Sequence, residues 1–457
     1  MSESTTTEHI SSYASLAAVG TLVRERNLFG PVRELLKVNQ KTVKHAPTDK
    51  LYDALIAILA GAHGLVEINT RLRAEPALQR AFGREACAEQ SVVQDTLDAC
   101  TAENVSQFQA ALATIYRTHG QGYAHDYRTR HQLLDVDMSG LPCGKQAAFG
   151  SRGYFAKQRN RRGRQLGRVL ATHYQEVVVD QVFDGKTQLT TALQPLVVAA
   201  ADVLELDAER RARTLIRVDA GGGSLDDVNW LLAEGFLVLA KDYSSQRAAK
   251  LAASVTRWFV DPKLPEREVG WVMTEATEYV RKVQRIAVRC RKANGQWGYA
   301  VLIAPTDLRP VWSVMHADSE MPKDPLDQLL ATVYAYDARG GGIETSMKED
   351  KQGLGLTRRQ KRRFAAQQML TLLGTLAHNV LIWTRRWLAV SEPRLARYGV
   401  KRLVRDIFHI NGRVLCDALG HVVEIILNPA APLVRGLIAA LQALLAPLHV
   451  VVRLGEN

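Results

Sequence analysis

The chain has 457 residues, 47% of them hydrophobic and 23% charged, which excludes a mostly disordered polypeptide and suits a multidomain globular protein at roughly 100–200 residues per domain. Lys and Arg number 59 against 47 Asp and Glu, so the formal charge is +12. That balance favours a polyanionic partner and argues against an acidic, solvating chain.

The membrane alternative is weak. The longest uncharged apolar stretch, Gly436 to Val452, is interrupted by Gln442 and Pro447 and contains His449, so it reads as a buried C-terminal element. The start, MSESTTTEHISS, has no basic region followed by an apolar one, so no secretory signal is expected and a cytoplasmic location is. Cys87, Cys100, Cys143, Cys290 and Cys416 are scattered, odd in number and form no CxxC. They read as buried or half-buried thiols in a reducing compartment.

Taken in chain order, residues 1–12 read as a polar, frayed start. From about Ser15 to Tyr116 the apolar residues recur at three- and four-residue intervals, as in LYDALIAILAGAHGLVEINTRLR, and predict a helical region with helix-turn-helix-like units. HGQGYAH marks a boundary. Beyond it come β-branched runs ended by Gly or Asp: HQLLDVDMS, QEVVVDQVFDG, TLIRVDAGG and GFLVLAKDY. A helical stretch, TQLTTALQPLVVAAADVLELDAERRAR, lies between them, which indicates a mixed α/β domain. VQRIAVRCRK and WGYAVLIAPT predict an inserted antiparallel unit. Helical patterns return from Pro325, and the chain is expected to end in a Leu/Ala helix.

Three carboxylates stand out by position. Asp137 closes LLDVDMS, Asp219 closes TLIRVDAGGGS, and Glu344 opens a helix after three glycines in RGGGIETSMKEDK. A lone Asp at a strand end is most often a turn former or a helix cap. Three that converge would instead supply hard oxygen ligands suited to Mg²⁺, and two such ions can activate a hydroxyl and stabilise a leaving oxygen. Asp135 competes with Asp137, since period-two alternation puts both on one side of the strand. Asp137 is preferred because it lies at the mouth of the run, two residues before Ser139. Ser224 and Asp227 fit a capping box, so Asp226 and Asp227 are given a structural role. On the Glu344 helix, Lys348 at +4 and Lys351 at +7 fall on nearly the same face as the acid. The plain alternative there is surface pairing worth about 0.2–0.5 kcal/mol.

Tyr336, Arg339, Glu344 and Lys351 occur in an order that closely resembles the signature of the DDE transposases of bacterial insertion sequences. In that family three residues separate the Arg from the Glu. Here four do, with Gly340, Gly341 and Gly342 in the gap. LLDVDMSGLP is similar to the family's first-Asp strand. RVDAGGGS with WLLAEGFLVLAKD is similar to its second-Asp strand and the helix and strand after it. KQGLGLTRRQKRRFAAQQMLTLLGTLAHNVL is similar to its helices after the Glu, and RLVRDIFHINGRV to a common C-terminal element. The likeness covers most of residues 130–415.

The resemblance implies an RNase H-like α/β catalytic core with a β-rich insertion. Asp137 and Asp219 would lie on adjacent strands and Glu344 on a following helix. The implied divisions are a helical DNA-binding region over 1–130, the core over 131–250 and 326–390, the insertion over 251–325 and a C-terminal region over 391–457. It also implies a cofactor of two Mg²⁺, or Mn²⁺, held by Asp137, Asp219 and Glu344. The reaction would be phosphodiester cleavage at terminal inverted repeats followed by 3′-hydroxyl strand transfer into target DNA. The partner would be double-stranded DNA, with a homodimer in the complex. Arg339 and Lys351 would contact that DNA near the scissile phosphate and Tyr336 would position the strand; Lys348, on the same helix face as Glu344, joins them as a DNA-binding candidate.

Two basic clusters add to the expected DNA surface. SRGYFAKQRNRRGRQLGR holds Arg159, Arg161, Arg162 and Arg164 with no acid, against the alternative of a solvated hairpin. The second cluster follows the Glu344 helix and includes Arg358 and Arg362. The tryptophans of the insertion, Trp258, Trp271, Trp297 and Trp312, read as packing residues. No HxH, HExxH, Cys/His pair or phosphate-loop Lys is present, so zinc hydrolysis, a Cys–His nucleophile and nucleotide hydrolysis are not supported. Rival readings are a non-catalytic or domesticated DNA-binding relative, and a structure-specific nuclease without strand transfer.

Overall fold

The computed structural model describes residues 6–41, 44–155, 158–316 and 319–456; the side chains of Tyr154, Gln158 and Arg159 also lie outside the described part. Fourteen strands are described: β1 (Thr7–Ser11), β2 (Gln132–Pro142), β3 (Ser151–Phe155), β4 (Gln158–Ala171), β5 (Glu176–Asp184), β6 (Thr214–Val218), β7 (Leu237–Lys241), β8 (Phe259–Asp261), β9 (Leu264–Trp271), β10 (Val283–Arg291), β11 (Trp297–Pro305), β12 (Gly412–Cys416), β13 (Val422–Leu427) and β14 (Val451–Leu454).

The larger sheet is mixed. Its order is β3-β4-β2-β6-β7-β11-β10-β9-β8, with β5 also paired to β4. β2, β6 and β7 run parallel, whereas β4 is antiparallel to β2 and β5 is antiparallel to β4. TLIRV of β6 is buried along its whole length, as a strand covered on both faces requires. The insertion strands β8–β11 are all antiparallel, and β11 joins β7 through Leu302 and Ile303. The expected inserted unit thus continues the central sheet.

The N-terminal region is helical as anticipated, with its longest helix at Ala102–His119. It does not pack alone. A 26-residue helix, Phe364–Ala389, is buried on nearly every side, with Trp383 fully enclosed. A helix apolar all round must be surrounded, and its contacts include Pro47–Leu59, Gln90–Ala99, Ala102–His119 and β5. One hydrophobic cluster therefore runs from the first helices through the sheet to the C-terminal elements. HGQGYAH is tied into it: Gln121 and Gly122 donate their backbone N–H groups to the buried Glu176.

Two expectations about the ends are corrected. Part of the supposedly frayed start is β1, which pairs antiparallel with β12 from Thr7↔Cys416 to Ser11↔Gly412. After the helix Val434–Leu445 the chain forms β14, which pairs parallel with β13. The cysteines are free, with Cys87, Cys100 and Cys416 buried. No helix among the described residues is long and apolar enough to cross a membrane.

Candidate active site

β2 carries both competing aspartates, and their surroundings separate them. Asp135 sits in register with Arg217 of β6. Arg217 donates from Nε at 2.5 Å and Nη2 at 2.7 Å, Thr172 adds a third bond at 2.9 Å, and both members of the ion pair are fully enclosed. Asp135 is thus neutralised inside the sheet. Gly342 closes over it: a Cβ there would meet Asp135 Oδ2 at 2.8 Å.

Asp137, two residues on, emerges where β2 leaves that cover. Its Oδ1 accepts the Met138 N–H at 2.7 Å. Asp219 follows the last residue of β6 and caps the short turn Ala220–Gly222, with Oδ1 accepting the Gly221 N–H at 2.8 Å. The glycines of this turn serve close approach, since a Cβ on Gly223 would collide with the Lys241 carbonyl. Ser224 caps the next helix through the Asp227 N–H, as the sequence indicated. Glu344 lies in the first turn of the helix Ile343–Gly353.

The three acids meet at one guanidinium. Arg339 Nη1 lies 2.8 Å from Asp137 Oδ2, and Nη2 lies 2.6 Å from Glu344 Oε1 and 3.8 Å from Asp219 Oδ2. Exposure rises across the set, from 15% for the Asp137 side chain to 36% for Asp219 and 53% for Glu344. Burial pushes the Asp137 carboxyl up to about 6; Arg339 opposes the rise and Asp219 adds to it. Burial alone would lower Arg339, but Asp137 and Asp219 outweigh it and hold the guanidinium above its usual range.

Lys351 donates to the Ser139 hydroxyl, bringing the Glu344 helix against the end of β2. Burial lowers its ammonium below the usual range, Arg168 acts in the same direction, and Asp137 opposes both. Lys348 is exposed. A cleft of about 370 Å³ runs between these elements, lined by Asp137, Ser139, Glu344, Lys348 and Lys351. Tyr336 is half-buried on the insertion side, against a separate cleft bordered by Arg267 and Trp297, and burial raises its hydroxyl to about 12.

The basic clusters divide. Arg358 and Arg362 are exposed. Arg161 is exposed, and Arg162 donates to the Gly150 carbonyl while staying half-exposed. The side chain of Arg159 lies outside the described residues. Arg164 corrects the expectation of a DNA contact. It is 1% exposed and donates to the carbonyls of Ala148, Lys361 and Arg362 and to Gln367, so it fastens β4 to the segment before the long helix.

Arg168 is likewise internal. It binds both oxygens of Asp180 at 2.8 Å, Asp350 at 2.7 Å and the Ser346 hydroxyl at 2.8 Å. His378 Nδ1 lies 2.7 Å from the other Asp350 oxygen. Asp350 and Ser346 belong to the helix of Glu344, so this network fixes that helix from below. Sequence reasoning missed it. The available signal was the alternation of Arg164, Leu166, Arg168 and Leu170 along β4, which puts both arginines on the leucine face.

The donor chemistry of Asp137, Asp219 and Glu344 fits a hard divalent cation, since all three offer carboxylate oxygens around one point. Among the described residues no group of three His, Cys, Asp or Glu side chains stands ready to hold a metal, with the Arg339 guanidinium lying between these acids.

No family model matches the chain, and no curated protein matches it. Among solved structures it is similar to a piggyBac transposase synaptic complex with hairpin DNA, at a TM-score of 0.47 and 10% identity, over 88% of this chain and 82% of that one. At that identity every residue role rests on this chain's own geometry.

Proposed function

We propose that the protein is a DDE-type DNA transposase of an insertion sequence, which cleaves at terminal inverted repeats and joins the freed 3′-hydroxyl to target DNA. The observation that carries this is the convergence of Asp137, Asp219 and Glu344, remote along the chain, on a single cation. The parallel pairing of β2 with β6 and the acid at the start of a later helix support an RNase H-like core. The core would comprise 131–250 and 326–390, with the insertion at 251–325, a DNA-binding region at 1–130 and a C-terminal region at 391–457.

In this reading the three carboxylates would hold Mg²⁺, which would supply activation of a water or hydroxyl and stabilisation of the leaving oxygen of a phosphodiester. The chain's own residues do the rest. Lys351, held by Ser139, and Lys348 place ammonium groups along the cleft beside the acids, where a backbone phosphate would pass. The buried Arg168–Asp350–His378 network keeps Glu344 and Lys351 on a fixed helix face. Arg339 balances the charge of the three acids. Double-stranded DNA is the partner, with two protomers joining two ends.

The test is strand cleavage of an inverted-repeat duplex with Mg²⁺ as the supplied ion. Wild type should cleave, and Asp219→Ala should lose about a hundred- to a thousandfold, on the order of the loss of an essential electrostatic group. Equal cleavage by Asp219→Ala would overturn the assignment. A second reading, a DNA-binding protein without catalysis, is favoured by one observation: Arg339 fills the centre of the carboxylates. Salt-dependent duplex binding without metal-dependent nicking would select it.

A further inference from the structure

A second groove adjoins the Lys348–Lys351 cleft at Met138, which lines both. Its volume is about 620 Å³. One wall is the β3–β4 hairpin, with Arg152 and Gln165. The other is the loop from β5 to the helix Leu189–Leu204, with Lys186 and Gln188. Its lining also includes Met138, the neighbour of Asp137, and Gly221, whose N–H binds Asp219. Two of its lining residues thus adjoin converging carboxylates, Met138 beside Asp137 and Gly221 bonded to Asp219, and Met138 is shared with the first cleft.

The chemistry of its lining is one-sided. Arg152 and Lys186 are exposed, and no carboxylate lines the groove among the described residues. Among those residues neither side chain is engaged in an ion pair: Lys186 uses only its backbone N–H, toward Asp184 Oδ1, and that acid is held by Ser151. Gln188 gives the helix behind it no side-chain cap, so the positive end of a 16-residue helix faces the same space. Glycines let the two walls meet closely, since a Cβ on Gly153 would lie 2.5 Å from the Gly185 carbonyl. No aromatic ring lines it, among the described residues, to stack on a base. Such a surface holds a phosphate backbone without reading its sequence.

Phosphoryl transfer sets the geometry. The attacking and leaving oxygens stand roughly in line on opposite faces of the phosphorus. Two DNA segments must therefore reach the carboxylates from opposite sides. Resting on the transposase reading, we infer that the Arg152–Lys186 groove holds the target DNA, and that the Lys348–Lys351 cleft holds the element end. Joining then breaks one target phosphodiester and forms one new one. The 3′-oxygen of the end loses its proton and bonds to the phosphorus, and the target's own 3′-oxygen leaves and takes up a proton. The process is isoenergetic in bond type and needs no oxidant or co-reactant.

The experiment measures two products from one inverted-repeat duplex with Mg²⁺ and a plasmid target: cleaved ends, and ends joined to the plasmid. The variant Arg152→Glu/Lys186→Glu should lower the joined fraction of cleaved ends at least tenfold. Arg152→Lys/Lys186→Arg should restore it. Capture of a labelled target duplex by the preformed end complex should lose about two units of salt slope, one per phosphate contact. A joined fraction equal to wild type overturns the inference, as does a parallel fall of cleavage and joining with the fraction unchanged, which would place the element end in this groove. Should the charge-reversed chain fail to melt cooperatively, Arg152→Gln/Lys186→Gln is read by the same two criteria. Absence of cleavage by wild type defeats the transposase reading itself, so the two failures are distinct.

Discussion

Two arginines, Arg168 and Arg339, are each held by carboxylates, and they behave as opposites. Arg168 and its partners Asp180 and Asp350 are no more than 3% exposed, and the polar atoms around them are answered by Ser346, Thr375 and His378. Arg339 holds three acids whose exposure climbs to 53%, with Asp219 still 3.8 Å away. The first cluster is a closed structural joint. The second is a solvent-accessible cluster, which the proposed function makes a coordination set whose cation can be exchanged. A carboxylate–guanidinium contact therefore says little by itself; the solvent access of the acids decides whether the contact is architecture or chemistry.

The contrast can be broken most severely at the joint. Arg168→Met leaves Asp180 and Asp350 buried without their cation and should destabilise the fold by about 3–5 kcal/mol, read by urea unfolding. A loss under about 1 kcal/mol would show that the joint is not closed.

At the open set the sign reverses. An unfolded aspartate titrates near 3.9, whereas Asp137 is raised to about 6, so the folded chain binds that proton more tightly. Its contribution is present below about pH 4 and is lost as pH rises through about 6. In EDTA at pH 8, Asp137→Asn should therefore gain about 1–3 kcal/mol, and the gain should vanish at about pH 3. A loss at the higher pH would mean that the ion pair with Arg339 outweighs the burial.

Exchangeability itself is tested by Arg339→Ala. Removing the resident cation should tighten Mn²⁺ binding without DNA by about tenfold, or ~1.4 kcal/mol, seen as a larger metal-induced rise in melting temperature. The smallest effect is expected at Lys348→Ala, which should reduce the salt slope of duplex binding by about one and leave the melting temperature in place.

That the three acids of the open set approach one another was anticipated from the sequence, by their places at two strand ends and a helix start, taken together with the spacing of Tyr336, Arg339, Glu344 and Lys351. The fact that separates Asp137 from Asp135 was invisible there. Arg217, the partner of Asp135, is a register neighbour on a strand 82 residues later. The joint was misread for a related reason. Arg164 and Arg168 sit in an acid-free run, and local charge gave no hint that backbone carbonyls and distant acids would receive them. β1 was missed because TEHIS carries almost no apolar signal, and its order comes from a partner strand at the far end of the chain.

That pairing has a consequence for how the polypeptide is made. Residues 7–11 emerge from the ribosome early, yet their partner strand is synthesised roughly 400 residues later. At about 5–20 residues per second the first strand and the apolar faces of the early helices wait ~20–80 s for their cover. Nascent chains of this protein should lean on chaperones, and a product terminated before residue 412 should aggregate.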